Sequence, residues 1–158
     1  MDWRAAIWAG LVAGSVFLLL TLLVWPFFMG GNAWIMARLL ASVLLGEPIL
    51  APPPTFHPGA LAAAVLANGL IGMLYALLIA YIVHRGGLIT GIFGGAALGL
   101  AIYAINFYTF TLFCPWFFPM RGLIMAIHHM IFGAFAGGIY EWLEVETFVP
   151  VEDGSVEG

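Results

Sequence analysis

Four polar residues stand out because each lies in a long apolar stretch without charge: Thr21, Asn68, Asn106 and His129. Hydroxyl, amide and imidazole groups in such a setting either hydrogen-bond from helix to helix or face a ligand. If each stretch is a helix rising 1.5 Å per residue, all four lie roughly 10–14 Å from the same membrane surface. Their shared depth predicts a polar pocket, and both roles stay open.

The neighbouring histidines His128 and His129 raise the question of haem or metal binding. Bis-histidine ligation of haem needs a second histidine at similar depth on another helix, and amides are weak metal ligands. Only the last apolar stretch has histidines near its middle. We therefore predict no metal and no cofactor, and keep haem or quinone as an alternative for an assembly.

The two histidines are expected to face different surroundings, because adjacent residues on a helix point about 100° apart. His129 shares a face with Gly133 and Gly137, which predicts that it points inward. His128 shares a face with Phe132 and Phe135. We expect it to point to lipid or to a protein partner.

Catalytic patterns are missing from the sequence. The apolar stretches contain no paired carboxylates and no nucleophile beside a base, and the glycines do not form a phosphate-binding motif. Cys114 is the single cysteine and is interpreted as a small packing residue. We predict that the protein is not an enzyme and has no catalytic residues.

The stretches that carry these residues are long enough to cross a membrane. Hydrophobic residues make up 64% and charged residues 8% of the 158, whereas about a quarter of a soluble protein is charged. About 20 apolar residues cross a hydrocarbon core. We predict an all-α membrane protein whose single domain, 1–148, is an antiparallel bundle of four spans, about 3–29, 59–83, 88–113 and 120–143.

Three segments outside the spans are also interpreted. Asn32 as N-cap and Gly46 as terminator predict a short helix over 33–45, interfacial or re-entrant. The three prolines at 52–54 predict that Glu47 to Pro58 forms a rigid extended connector. The acidic segment 149–158 is predicted to be a disordered tail.

Small residues spaced by four line one face of the predicted spans, as in a glycine zipper that lets two helices approach closely. They lie nearer the opposite membrane surface than the polar residues do. We therefore expect close helix contact there and a wider space around the pocket, with the short helix and the proline loop over its mouth. The predicted packing residues are Gly10, Gly14, Gly72, Gly91, Gly95, Gly99, Gly133 and Gly137.

The small and polar positions recur in a way that suggests a duplicated two-helix hairpin. A shift of 85 residues places Gly95, Gly99 and Asn106 on Gly10, Gly14 and Thr21. A shift of 61 residues places His129, Gly133 and Gly137 on Asn68, Gly72 and Ala76. Chance matches in so glycine-rich a chain are the alternative explanation.

The charges bear on orientation and on partners. Arg4 and Arg85 flank one membrane surface and Arg38 and Arg121 the other, so the positive-inside rule gives a tie. The tight turn at Arg85 favours a cytoplasmic position for both termini. The net charge of −4 argues against nucleic acid. The expected partners are the lipid bilayer and other membrane subunits or a second copy.

Three segments carry a resemblance to a known family: ARLLASVLLG followed by PPPTFHPG, VHRGGL followed by YAINFYTFT, and HHMIFGAFAGGIY. Together they resemble a family of small four-helix bacterial membrane proteins. Some members are labelled sodium:proline symporters, although that type of carrier is several times larger than this chain. The resemblance implies a bacterial inner membrane and a compact four-helix fold. It implies no activity and no site residues.

Three functions are compatible with these features. The first is an accessory or scaffolding subunit of a membrane assembly without catalysis of its own, favoured by an outward His128, the aromatic helix faces and the small size of the chain. The second is a small solute channel or carrier that uses the polar pocket. The third is a redox subunit that holds haem or quinone.

Overall fold

The computed structural model describes residues 1–144, and these contain helices and no strand. The predicted tail, 149–158, lies outside the described residues. The α-helices are α1 (Trp3–Leu19), α2 (Trp25–Met29), α3 (Ala33–Leu45), α4 (Pro58–Val83), α5 (Gly87–Tyr108) and α6 (Leu123–Leu143). A π-helix, Leu20–Val24, joins α1 to α2 without interruption, and 3₁₀-helices cover Glu47–Leu50, Phe110–Leu112 and Pro115–Met120.

Four helical stretches are long and apolar enough to cross a membrane: Trp3–Met29, Pro58–Val83, Gly87–Leu112 and Leu123–Leu143. The prediction of four long apolar helices is confirmed, with ends close to those expected. The last stretch begins three residues later than predicted. The reason is local, since Pro119 lies in a 3₁₀-helix and the backbone is extended at Arg121.

The short helix α3 has the predicted bounds. The Asn32 side-chain oxygen accepts hydrogen bonds from the N–H groups of Trp34 and Ile35, at 2.9 and 3.0 Å. Gly46 ends the helix with a φ of 75°, a conformation that favours glycine. The connector after it is not extended throughout, because Glu47–Leu50 forms a 3₁₀-helix.

Helices α5 and α6 pack with their backbones in contact. A Cβ atom on Gly91 would lie 2.6 Å from the Gly137 carbonyl oxygen, and one on Gly95 would overlap the carbonyl oxygen of Gly133. One on Gly99 would overlap that of His129. Residue numbers rise along α5 as they fall along α6, and only glycine fits on this line.

Helices α1 and α4 form a second close pair. A Cβ atom on Gly10 would lie 2.7 Å from the Met73 Cα atom and 2.9 Å from the Ala76 Cβ atom. Further along, one on Gly72 would lie 3.3 Å from the Gly14 Cα atom. All eight predicted packing glycines thus lie against a neighbouring helix.

The two pairs meet through α6, which packs on α1 and α4 as well as on α5. The core between them combines alanines of α1 and α6 with two larger α6 side chains: Ala6, Ala9, Ala13, Ala136, Phe132 and Tyr140. A second buried cluster joins Met36 and Leu39 of α3 to Phe107, Phe117 and Met125. Helix α3 therefore covers the end of the bundle opposite the main glycine contacts.

Candidate functional site

A cavity of about 300 Å³ lies between the helices beneath α3. Its wall is mostly apolar, and the residues lining it come from all the long helices and from α3. Among the residues that line the cavity in the described part of the chain, five carry a polar side chain: Thr21, Asn68, Tyr75, Asn106 and His129. The four polar residues singled out in the sequence thus lie on the wall of one cavity, together with a tyrosine.

Three of these side chains form a hydrogen-bonded chain. The Tyr75 hydroxyl donates to the Asn106 side-chain oxygen at 2.5 Å. The Asn106 Nδ2 atom lies 3.3 Å from His129 Nε2, and His129 Nδ1 lies 2.9 Å from the Met125 carbonyl oxygen. The chain connects α4 to α5 and α5 to α6.

The positions of the hydrogen atoms in this chain follow from the bond between His129 and the Met125 carbonyl oxygen. A carbonyl oxygen only accepts, so His129 Nδ1 carries the hydrogen that it donates to Met125. His129 Nε2 then accepts from the Asn106 amide, whose oxygen accepts from Tyr75. This assignment satisfies all three side chains with a neutral imidazole. It leaves none of these atoms short of a partner.

The other two polar residues differ in their bonding. The Asn68 Nδ2 atom donates to the Gly14 carbonyl oxygen at 2.8 Å, within the α1–α4 pair. Thr21 is fully buried, and its Oγ1 atom has no hydrogen-bond partner among the described residues. A buried hydroxyl in that state is unfavourable, because it has lost water without gaining a replacement.

The backbone around Thr21 explains its position. Pro26 has no N–H and its ring collides with the carbonyl of a regular α-helix. In the π-helix just before it, the Trp25 N–H group bonds to the Leu20 carbonyl oxygen, five residues back. The π-turn keeps the helix continuous through Pro26 and sets Thr21 on the cavity wall. Such π-turns are frequent at functional sites.

Two segments close the cavity at its covered end. Leu40 and Val43 of α3 and Phe117 and Met120 of the 3₁₀-helix line this part of the wall. The two segments are joined by the Trp116 indole N–H, which donates to the Ser42 hydroxyl at 2.8 Å. Within residues 1–144, no residue of the proline loop lines the cavity, whereas Phe117 and Met120 of the 3₁₀-helix do.

The cavity also has an exposed side. Leu74 on α4 and Phe110, just after α5, are 64% and 37% exposed and still line the cavity. Ile71 lies beside them and is 36% exposed. These three residues form the rim of an opening between α4 and α5, and the rim itself is apolar.

The expected outward position of His128 is wrong. Its side chain is 2% exposed, and its ring lies edge-on to Phe17 at 6.4 Å. The error came from treating α6 as a helix with one packed face. Helix α6 contacts α5 on one side and α1 on another, so both His128 and His129 are inside.

Tyr75 was missed although the sequence carried a signal for it. It lies seven residues after Asn68, which is two turns along the same helix face. The sequence pattern of one polar residue per helix at one depth does not include it. A tyrosine is long enough to reach that level from a lower turn.

The charged side chains near the covered end of the cavity are engaged with backbone carbonyls. The Arg121 guanidinium donates to the Phe107 carbonyl oxygen at 2.5 Å and to the Thr111 hydroxyl at 2.6 Å, where it caps the end of α5. Arg38 donates to the Ala51 carbonyl oxygen at 2.9 Å. Within residues 1–144, no group of three metal-binding side chains comes together. None of the described lining residues is charged.

Comparison of the chain with protein-family models, with curated proteins and with solved structures gives no match.

Proposed function

We propose that the chain is a multi-pass protein of a bacterial inner membrane, folded as one antiparallel four-helix bundle. The four long apolar helices and their exposed leucine, isoleucine and phenylalanine side chains support a lipid environment. The opposite numbering of the glycine contacts supports an antiparallel arrangement within each pair. The Asp2 N–H group donates to the Tyr140 hydroxyl at 3.4 Å, which supports both ends lying on the same side of the membrane. The tight turn at Arg85 favours the cytoplasmic side for them.

A duplicated hairpin is part of this proposal. The shift of 85 residues relates Gly95 to Gly10, and the shift of 61 residues relates Gly133 to Gly72. Gly10 contacts Gly72 between α1 and α4, and Gly95 contacts Gly133 between α5 and α6. Asn68 bonds to Gly14 in one pair, and the His129 backbone touches Gly99 in the other. Equivalent positions therefore make equivalent contacts.

Within the bundle, we propose that the protein binds a small, predominantly apolar molecule from the membrane and performs no chemistry of its own. The carrying observation is the mostly apolar cavity on which five polar side chains converge. Ligand sites commonly combine apolar walls with a few placed polar groups. The apolar rim at Ile71, Leu74 and Phe110 gives such a molecule a route from the lipid.

The structure favours this function over the other hypotheses. An open channel needs a path through the glycine-rich half, where Ala9, Ala13, Ala76 and Ala136 are completely buried. Of the three features that favoured a scaffolding subunit, one is lost, because His128 is buried. A neutral quinone is compatible with the cavity and is one member of the proposed ligand class.

The test is photolabelling with a diazirine-bearing alkane in protein reconstituted into lipid nanodiscs. Met120 and Met125 line the cavity and are almost fully buried, so label on them reports occupancy of the interior. We expect saturable labelling of both methionines in the wild type. Ala67→Phe fills the cavity and should abolish it, whereas Leu66→Phe, at the neighbouring exposed position, should not.

Two results would overturn the proposed function. One is the absence of label on both methionines at saturating probe. The other is equal labelling in folded Ala67→Phe and in the wild type, with folding checked by far-UV circular dichroism.

A further inference from the structure

We propose that Thr21 is a ligand-binding residue and that the ligand is an uncharged long-chain molecule with a hydroxyl or carbonyl oxygen at its head. This inference depends on the proposed function, since it names the class of molecule that the cavity takes. In the complex, the Thr21 hydroxyl exchanges a hydrogen bond with the head oxygen. The chain of the ligand lies along the apolar wall towards the rim between α4 and α5.

The first support is the difference between Thr21 and two other hydroxyl residues of the helices. Ser15 donates to the Leu11 carbonyl oxygen at 2.7 Å, and Thr111 donates to the Phe107 carbonyl oxygen at 2.8 Å, each four residues back. Such back-bonding is the usual way in which a buried helix satisfies serine and threonine. Thr21 lies in the π-helix and does not make this bond, although it is the more deeply buried.

The second support is that the neighbouring polar groups are already bonded. Tyr75, Asn106 and His129 satisfy one another, and Asn68 is bonded to Gly14. Within the described part of the chain, Thr21 is therefore the buried residue of the cavity wall whose hydroxyl neither donates nor accepts a hydrogen bond. A threonine hydroxyl offers one donor and two acceptor lone pairs. It matches a single hydroxyl or carbonyl oxygen.

The third support is the charge of the cavity wall. Its described lining residues include no arginine, lysine, aspartate or glutamate. The two arginines nearest the covered end are engaged, Arg121 with α5 and Arg38 with the carbonyls that follow α3. A carboxylate, phosphate or ammonium head placed here would lose its hydration without gaining a counter-charge, which is strongly unfavourable. The ligand is therefore uncharged.

The experiment compares two photoreactive probes of equal length, a diazirine-bearing long-chain alcohol and the matching alkane, in nanodiscs. Label on Met120 and Met125 is quantified against probe concentration. Thr21→Val keeps the shape of the side chain and removes the hydroxyl. Thr21→Ser keeps the hydroxyl, and Ser15→Ala removes an exposed, back-bonded hydroxyl from the same helix as a matched control.

We expect the alcohol to label wild type and Thr21→Ser at about tenfold lower concentration than it labels Thr21→Val, as for the loss of one buried hydrogen bond. The alkane should label all four proteins alike. In competition, 1-dodecanol should displace the alcohol probe, whereas dodecanoate and dodecylammonium should not. Because Thr21→Val removes an unpaired buried hydroxyl, the ligand-free variant should unfold no more easily than the wild type.

The outcomes separate this inference from the proposed function. If alcohol and alkane label the wild type equally, or if Thr21→Val binds the alcohol as well as the wild type does, the role of Thr21 is wrong and the cavity remains a ligand site. If a charged competitor is as effective as 1-dodecanol, the uncharged class is wrong. If neither probe reaches Met120 or Met125, both proposals fail.

Discussion

Replacing Gly99 with alanine tests the backbone contact between α5 and α6. The added Cβ atom would lie 2.9 Å from the His129 carbonyl carbon and 3.2 Å from the Gly133 Cα atom, and would overlap the His129 carbonyl oxygen. These are main-chain atoms, so relief requires the two helices to move apart. Gly94 on the same helix is the matched control. A Cβ atom there would meet only Val83 and Thr90 side-chain atoms, at 3.6 and 3.9 Å.

The expected cost follows from comparing the two substitutions. Both replace a helical glycine by alanine, which favours the helix by up to about 1 kcal/mol in each case. Only Gly99→Ala also overpacks the interface, at a cost of about 1–3 kcal/mol. The difference between the variants therefore isolates the packing penalty. It corresponds to a change of about 5- to 150-fold in the unfolding equilibrium.

The assay is unfolding by sodium dodecyl sulfate in mixed micelles, followed by far-UV circular dichroism. Gly99→Ala should unfold at a lower detergent fraction than the wild type, and Gly94→Ala at the same fraction or higher. Equal midpoints for the two variants would refute the argument, because they would mean that α5 and α6 tolerate a methyl group at their contact.

Three further predictions concern the cavity, α3 and the loop thiol. Tyr75→Phe leaves the Asn106 side-chain oxygen without its donor and should lower the unfolding free energy by about 0.6 kcal/mol, whereas Tyr81→Phe, at an exposed position, should not. Asn32→Ala removes the N-cap of α3 at a cost of about 1 kcal/mol in helix stability, so hydrogen exchange of the amides at 34 and 35 should accelerate. Unchanged exchange would contradict the role of Asn32 as the cap. Burial raises the pKa of the Cys114 thiol, so less thiolate is present at pH 7. Iodoacetamide should then alkylate Cys114 more slowly than it alkylates free N-acetylcysteine, and the difference between the two rates should narrow as the pH rises. Equal rates at pH 7 would contradict the raised pKa.

The sequence was informative wherever local chemistry decides the outcome. Uninterrupted apolar stretches predicted the four long helices, and Asn32 with Gly46 predicted both ends of α3. These features depend on single helices and their caps. The spacing of the glycines likewise identified the faces that pack, because a helix repeats every 3.6 residues wherever it lies.

The sequence was less informative about which neighbours surround a helix. His128 was expected outside because one packed face was assumed for α6, whereas α1 covers a second face. The reach of Tyr75 towards Asn106 depends on how far apart α4 and α5 lie, and one chain does not encode that distance in any local pattern. The π-turn at Thr21 was also missed, since Pro26 alone does not say whether a helix breaks, bends or takes in an extra residue.

The contrast between contacts within and between the helix pairs has a mechanical consequence. At the glycine contacts inside each pair, main chain lies mostly on main chain, so few side chains can adjust there and we expect each pair to move as one body. Between the pairs lie rings such as Phe17 and Phe132, which rotate about their side-chain bonds. Hydrogen bonds also join the two pairs, near the N-terminus through Asp2 with Tyr140 and beside the cavity through Tyr75 with Asn106. We expect rocking of one pair against the other to change the size of the cavity, and the hydrogen bond from Tyr75 to Asn106 to limit this motion.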